Sequence, residues 1–224
     1  MEGPQCIGII LDGNRRWAKE KGLPTFEGHR RGADTIEHIA RAAGNMHIRH
    51  MALYVFSTEN WRRSEDEIVY LLRLFEQLIR THVHRLSKDG VAVRFVGQRE
   101  RFAKNMQILM RDAEEKSPHD AKLTLWVCLS YGGRAEIVAA ANAAATTGKP
   151  ITEESLQEHL WTAGMPDPDL IIRTGGEKRL SNFLLWQAAY SELFFVDKYW
   201  PDFTEEDLKS IVDEYGKREK RMGK

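Results

Sequence analysis

The chain has 224 residues, enough for one α/β domain with a substantial core. Charged residues make up 29%, and 33 Lys+Arg balance 33 Asp+Glu, which argues against a bulk nucleic-acid binder and leaves the charges to act locally. Cys6 and Cys128 lie in apolar runs and read as small core residues of a reducing compartment rather than a disulfide. The first apolar run, 6–11, is too short for a signal peptide, and nothing approaches the roughly 20 apolar residues of a membrane span, so a cytoplasmic location is expected.

In chain order, β-rich runs at 6–11, 51–56, 91–96, 123–129, 170–172 and 193–196 alternate with amphipathic stretches at 29–44, 64–87, 99–116, 133–147, 152–162 and 204–220. That order predicts an α/β fold with a largely parallel central sheet flanked by helices. The clearest helix follows Ser64, with Ile68, Leu71, Leu72, Phe75, Leu78 and Ile79 on one face. Ser64-Glu65-Asp66-Glu67 fits a capping box, and Thr152 and Thr204 fit further N-caps. Tyr131-Gly132-Gly133-Arg134 reads as a tight strand-to-helix connection, and the basic 217–224 tail as a frayed helix end. No repeat, low-complexity tract or linker interrupts 1–224, which reads as a single domain.

Ligands of open parallel sheets bind beyond the carboxyl ends of the strands. Three polar segments begin where strands are expected to end: 12–17, 57–63 and 173–181. Each has an ordinary reading, since Asp-Gly-Asn and Gly-Gly are common turn chemistry and Phe56 and Trp61 could simply pack a strand end. Together they point to a shared site. Asp12 offers a hard oxygen ligand beside Arg15 and Arg16, which suits a magnesium diphosphate: the carboxylate holds the metal and the guanidinium groups hold phosphate oxygens. Gly13 lets the backbone come close. Arg173, Thr174, Gly175, Gly176, Arg179 and Ser181 form a second anion site, with Glu177 the one acidic residue inside it. One metal-assisted anion site beside one without an obvious metal ligand fits alkyl transfer between two diphosphates better than phosphoryl transfer. The phosphate-binding patterns G-x-x-x-x-G-K-[ST] and G-x-G-x-x-G are absent.

At these residues the sequence resembles the cis-prenyltransferases, the undecaprenyl diphosphate synthase family. The motifs are Asp12-Gly13-Asn14-Arg15-Arg16-Trp17-Ala18, Gly28-His29-Arg30-Arg31-Gly32, and Phe56-Ser57-Thr58-Glu59-Asn60-Trp61 with Arg63 and Glu67. Further motifs are Ser130-Tyr131-Gly132-Gly133-Arg134, Arg173-Thr174-Gly175-Gly176-Glu177 with Arg179 and Ser181-Asn182-Phe183, and Glu192 before Trp200-Pro201-Asp202-Phe203. The resemblance implies an isoprenyl transferase with an apolar substrate tunnel. It would work as a homodimer and condense isopentenyl diphosphate in cis with an allylic prenyl diphosphate. By position, Asp12 would be catalytic, ligate Mg2+ with Glu192, and assist departure of the diphosphate. Gly13, Asn14, Arg15, Arg16, Trp17 and His29 would meet the allylic diphosphate. Arg173, Arg179, Leu180 and Ser181 would hold isopentenyl diphosphate, and Ser57, Thr58, Glu59, Asn60, Trp61 and Arg63 would line the reacting centre. Asn60 takes the position often labelled proton acceptor; a carboxamide is a poor base, so a role in orienting substrate is expected of it. A product too apolar for water implies transient contact with a membrane surface.

Departures from the family pattern carry expectations of their own. Thr25 stands where an arginine is common, so one phosphate contact is expected either to be missing or to come from Arg30 or Arg31. Val55 replaces a frequent alanine near the tunnel, and Trp126 adds bulk on another strand; if both point inward, the product stops short. Strand alternation would set Val55 and Phe56 on opposite faces. Glu67 has two readings of equal weight, helix cap and site residue. A non-catalytic subunit is the main competing function, disfavoured because Asp12, Arg173 and Arg179 are all retained.

Overall fold

The computed structural model describes residues 3–218, the side chain of His84 apart. The 219–224 part of the expected tail lies outside the described residues. Six strands form one sheet in the order β3-β4-β2-β1-β5-β6, every pair parallel. They are β1 (Cys6–Ile10), β2 (His50–Ser57), β3 (Val91–Val96), β4 (Leu123–Tyr131), β5 (Leu170–Arg173) and β6 (Glu192–Phe195). The helices are α1 (Asn14–Glu20), α2 (Thr25–Asn45), α3 (Glu65–Leu78), α4 (His84–Lys88), α5 (Lys104–Glu115), α6 (Gly133–Ala145), α7 (Glu153–His159) and α8 (Glu205–Tyr215).

Alternation along the strands divides the core. Ile7, Ile9, Met51, Leu53, Val93 and Leu125 pack on the face covered by α2, α3, α5 and α8. Cys6, Ile10, Ala52, Trp126 and Cys128 pack on the other face, against Phe183 and Leu184. Both thiols are buried and free. Burial on both faces is what a parallel sheet requires, and it explains the unbroken apolar runs.

Connections from β1 run one way through β2 to β3 and β4, and connections from β5 run the other way to β6. The sheet therefore has its switch point at β1 and β5, where a crevice opens beyond the strand ends. Ile10 pairs with Arg173 there, which sets Asp12 and Arg173 side by side.

Four local features depart from expectation. Asn14–Glu20 is a helix, where the turn chemistry at 12–14 points to no element. The register of β2 on β4 slips around Phe56, a bulge that breaks strict alternation, and Val55 and Phe56 pack into the same core. The helix after Ser64 contains a π turn at Ile79–Val83 before α4. Ser64 occupies the N-cap position of α3 but its side chain caps nothing, whereas the hydroxyls of Thr152 and Thr204 accept from Ser155 N and Asp207 N.

Candidate active site

Asp12 follows β1, and its backbone is pinned from three sides. Thr174 Oγ1 accepts from Asp12 N at 3.1 Å and donates to Asp12 O at 2.8 Å, and Trp200 N donates to the same oxygen at 3.0 Å. Gly13 then turns left-handed at φ 103°, where an added Cβ would meet the Tyr199 side chain at 2.5 Å. Only glycine fits this turn. It aims Asp12 into the crevice while starting α1.

The Asp12 carboxylate accepts from Gly13 N at 2.6 Å and from Arg173 Nη2 at 2.9 Å, and Arg16 Nη2 stands 3.1 Å away. Burial, the largest single influence, raises its pKa. The Arg173 hydrogen bond and charge, the Arg16 charge and the Gly13 N–H together outweigh it and hold the carboxyl below its ordinary value. Asp12 is therefore ionised near neutral pH.

Arg173 ends β5 and is 4% exposed. Its second fork nitrogen donates to Arg179 O at 2.6 Å and to Ser181 Oγ at 2.7 Å. The two anion-binding segments expected from the sequence are thus one continuous surface, joined through a single guanidinium. Ser181 and Asn182 hold φ of 50° and 70°, a strained pair at the same place. Asn182 bonds to Glu59 and caps Arg134 N, tying the 57–63 segment to α6. This tie was not read from the sequence, because no local spacing links positions 59, 134 and 182.

Asn60 Oδ1 accepts from Ser57 N at 3.0 Å. Its oxygen is occupied, so the face it offers a ligand is its NH2 donor. Glu67 sits where His29, Arg15 and Arg63 converge: Arg63 donates to it at 2.9 Å, and His29 Nε2 is 3.9 Å away. Glu67 is thus held by ion pairs rather than by a capping box. Burial, then the Arg63 charge, lower the His29 pKa to about 4 against the opposing pull of Glu67, so the ring is neutral.

These groups line a cavity of about 640 Å³. Asp12, Asn14, His29, Ser57, Glu59, Asn60, Arg63, Arg173, Arg179 and Ser181 form its polar wall. Ile36, Val55, Leu71, Leu74, Phe75 and Leu78 face them from α2, β2 and α3. An outer cavity carries Gly13, Arg15, Arg16 and Thr25; its further cations are Lys19 and Arg63, whereas Arg30 is paired with Glu27 and Arg31 lies elsewhere. Of the buried side-chain polar atoms left without a partner among the described residues, four belong to Asn14, Trp17, His29 and Arg173. Unsatisfied buried groups are uncommon, and their concentration here marks a place shaped for a polar ligand.

Some expected site residues stand back from the cavity. Trp61 donates to Ser130 Oγ at 2.9 Å and packs on Phe56 and Phe102, supporting the segment from behind. Thr58 lies against Gly132, and Leu180 packs on the second core. Trp126 faces the opposite side of the sheet, bonded to His50, and cannot narrow a channel on the α3 side. Glu192 opens β6 level with Leu170, three residues before Arg173 along the neighbouring strand, or about 10 Å towards the other end of the sheet. It pairs there with Arg218 at 2.5 Å. The fold does not bring it to Asp12 within one chain.

No group of three or more His, Cys, Asp or Glu among the described residues could hold a metal. A single ionised carboxylate in a cavity rich in phosphate-binding donors still fits a cation that draws its remaining ligands from substrate and water, as magnesium does.

A parallel sheet whose switch point joins arginine-rich anion sites to an apolar cavity suits an enzyme acting on a molecule with an anionic head and a hydrocarbon chain. The chain belongs to the undecaprenyl diphosphate synthase family, whose profile matches residues 10–223. It is 44% identical to an isoprenyl transferase of Agrobacterium fabrum, over 98% of this chain and 92% of that protein. It is 42% identical to the ditrans,polycis-undecaprenyl-diphosphate synthase ((2E,6E)-farnesyl-diphosphate specific) of Micrococcus luteus, over 98% and 91%. Its fold matches lavandulyl diphosphate synthase of Lavandula x intermedia, solved with dimethylallyl diphosphate, at a TM-score of 0.95 and 34% identity over 99% of both chains.

Proposed function

We propose that the chain condenses isopentenyl diphosphate in cis with an allylic diphosphate primer, releasing diphosphate and building a polyprenyl diphosphate of undecaprenyl type or shorter. One observation carries this reading: ionised Asp12 and buried Arg173 meet in a single cavity whose other wall is apolar. A diphosphate head and a hydrocarbon tail find matching surfaces in the same space.

In this reading Gly13, Asn14, Arg15, Arg16 and His29 hold the allylic diphosphate, with Trp17 packed beside them. Arg173, Arg179 and Ser181 hold isopentenyl diphosphate, backed by Leu180, while Ser57, Glu59, Asn60 and Arg63 line the reacting centre. Thr58 and Trp61 support that lining. The allylic carbon–oxygen bond breaks, a carbon–carbon bond forms, and the isopentenyl unit loses a proton. Asn60 orients that unit through its NH2 group; the proton goes to a diphosphate oxygen, water or a carboxylate. Asp12 would hold Mg2+, which when bound neutralises charge on the departing diphosphate. Glu192 is no part of this set within one chain.

Residues 1–224 act as one domain, a reading supported by a single sheet whose strands run from Cys6 to Phe195. The working form is a homodimer joined near the β6 edge, where Tyr190 is 85% and Leu193 39% exposed. No described helix is long and apolar enough to cross a membrane. Product leaves by transient contact with a membrane surface; exposed Leu23, in the lining of the outer cavity, and exposed Phe26 beside Thr25 support this.

The test is incubation with labelled isopentenyl diphosphate, Mg2+ and primers of increasing length, with a chelator control. Products growing by five carbons, lost on chelation, are expected. No incorporation with any primer overturns the reading.

A further inference from the structure

The apolar side of the cavity has an end, and that end is ionic. Past Ala33, Ile36, Val55, Phe75 and Leu78 the space continues into a second, apolar cavity of about 70 Å³ between α2, the α3–α4 helix and strands β2, β3 and β4. Glu37 and His82 stand in its wall, and both also line a groove of about 330 Å³ on the far side, with Arg31, Asp34, His38, Arg41 and Arg85. The pair is thus the partition between the hydrocarbon space and a polar groove.

The partition is firmly built. Glu37 is 7% exposed, and its carboxylate meets His82 Nδ1 at 2.7 Å, Arg41 at 2.6 Å and Arg85 at 3.6 Å. Arg41 is held in turn by Asp89 at 2.8 Å. His82 reaches α2 from within the π turn at Ile79–Val83. Such turns insert an extra residue into a helix and tend to occur where a side chain has a task. On the cavity side Ile79, Val83 and Leu86 leave the pair as the one polar feature of the lining.

We propose that the Glu37–His82 pair is the stop that sets final product length, an inference that rests on the elongation reading above. A growing hydrocarbon end fills the second cavity and then meets a desolvated carboxylate with cationic partners. To go further it must part the pair, taking a buried carboxylate off its 2.7 Å contact with His82 and setting hydrocarbon in its place, a cost no methyl group can return. Growth ends there and the product is released.

The experiment sizes products from a fixed primer and labelled isopentenyl diphosphate for the unaltered chain, Glu37→Ala, His82→Ala and Glu37→Gln. Glu37→Ala and His82→Ala should move the main product up by at least one five-carbon unit. Glu37→Gln, which keeps the bulk and a hydrogen bond but loses the charge, should move it up less than Glu37→Ala does. The rate of the first addition to a short primer should stay within about twofold in all, because the pair touches none of the diphosphate-binding residues. If Glu37→Ala fails to fold, His82→Ala carries the test alone, since it leaves Glu37 with both arginines. Identical product lengths in a folded alanine variant and the unaltered chain overturn the proposal. An unaltered chain that incorporates nothing overturns the elongation reading instead.

Discussion

Arg173 shows how one side chain converts two sequence motifs into one site. It is anchored to Asp12, Arg179 O and Ser181 together, so it presents a fixed cation and keeps Asp12 ionised. His29 is set the opposite way: burial and the Arg63 charge keep it neutral. Its folded pKa, about 4, lies below the ordinary 6.5, so the unfolded chain binds the extra proton first. Stability should therefore fall as pH drops through 6.5 and level off below about 4, by about 3 kcal/mol at most from this residue. Denaturant unfolding of ligand-free protein across that range should show the slope, and His29→Leu should flatten it; an unchanged slope would refute the assignment. Asn60 yields a second expectation, since its oxygen already serves Ser57. Asn60→Ala should slow the condensation and raise KM for isopentenyl diphosphate, without moving the pH profile as loss of a general base would. Unchanged rates in that variant would remove any role for it.

At the scale of elements, the cavity exists because α1 and α2 sit closely against each other and leave the space towards α3 open. A Cβ at Gly28 would meet Asn14 O at 2.0 Å, a backbone atom that cannot step aside. Gly28→Ala should destabilise the protein by about 1–3 kcal/mol and depress activity by tilting the Asp12 loop, read by thermal melting beside turnover. A melt and turnover both equal to the unaltered chain would mean that this contact is not limiting. Much of this level was legible from the sequence. Apolar runs placed the strands, and Thr152 and Thr204 marked helix starts because a hydroxyl ahead of acidic residues caps wherever it lies. The misreadings have physical causes. Asp12-Gly13-Asn14 has turn chemistry that also starts a short helix. The bulge at Phe56 depends on pairing with β4. Glu67 left its cap because Arg63 one turn away and Arg15 and His29 from distant segments converge on it. The π turn carries no local signature, and Glu37 and His82 meet only once two helices pack.

For the whole molecule, the site lies at the switch point of a sheet whose two halves are covered on both faces, which allows a rigid polar floor beside a fillable apolar space. Motif order alone put Asp12 and Arg173 at neighbouring strand ends, where they meet, because strand ends in a parallel sheet converge on one edge. Depth was out of reach of the sequence: which apolar residues face the cavity, and what closes it, follow from packing. Trp126 and Glu192 show this limit, one turned to the opposite face and the other set at the opposite strand end. The central claim is that the cavity joining Asp12 to Arg173 is where an allylic chain leaves its diphosphate and is extended. Single-turnover condensation of a preformed enzyme–primer complex with labelled isopentenyl diphosphate, in the unaltered chain and in Asp12→Ala, addresses it most directly. Condensation that falls by on the order of 100-fold or more in Asp12→Ala, with primer still bound, is the predicted result. An Asp12→Ala chain that condenses at the unaltered rate would contradict it.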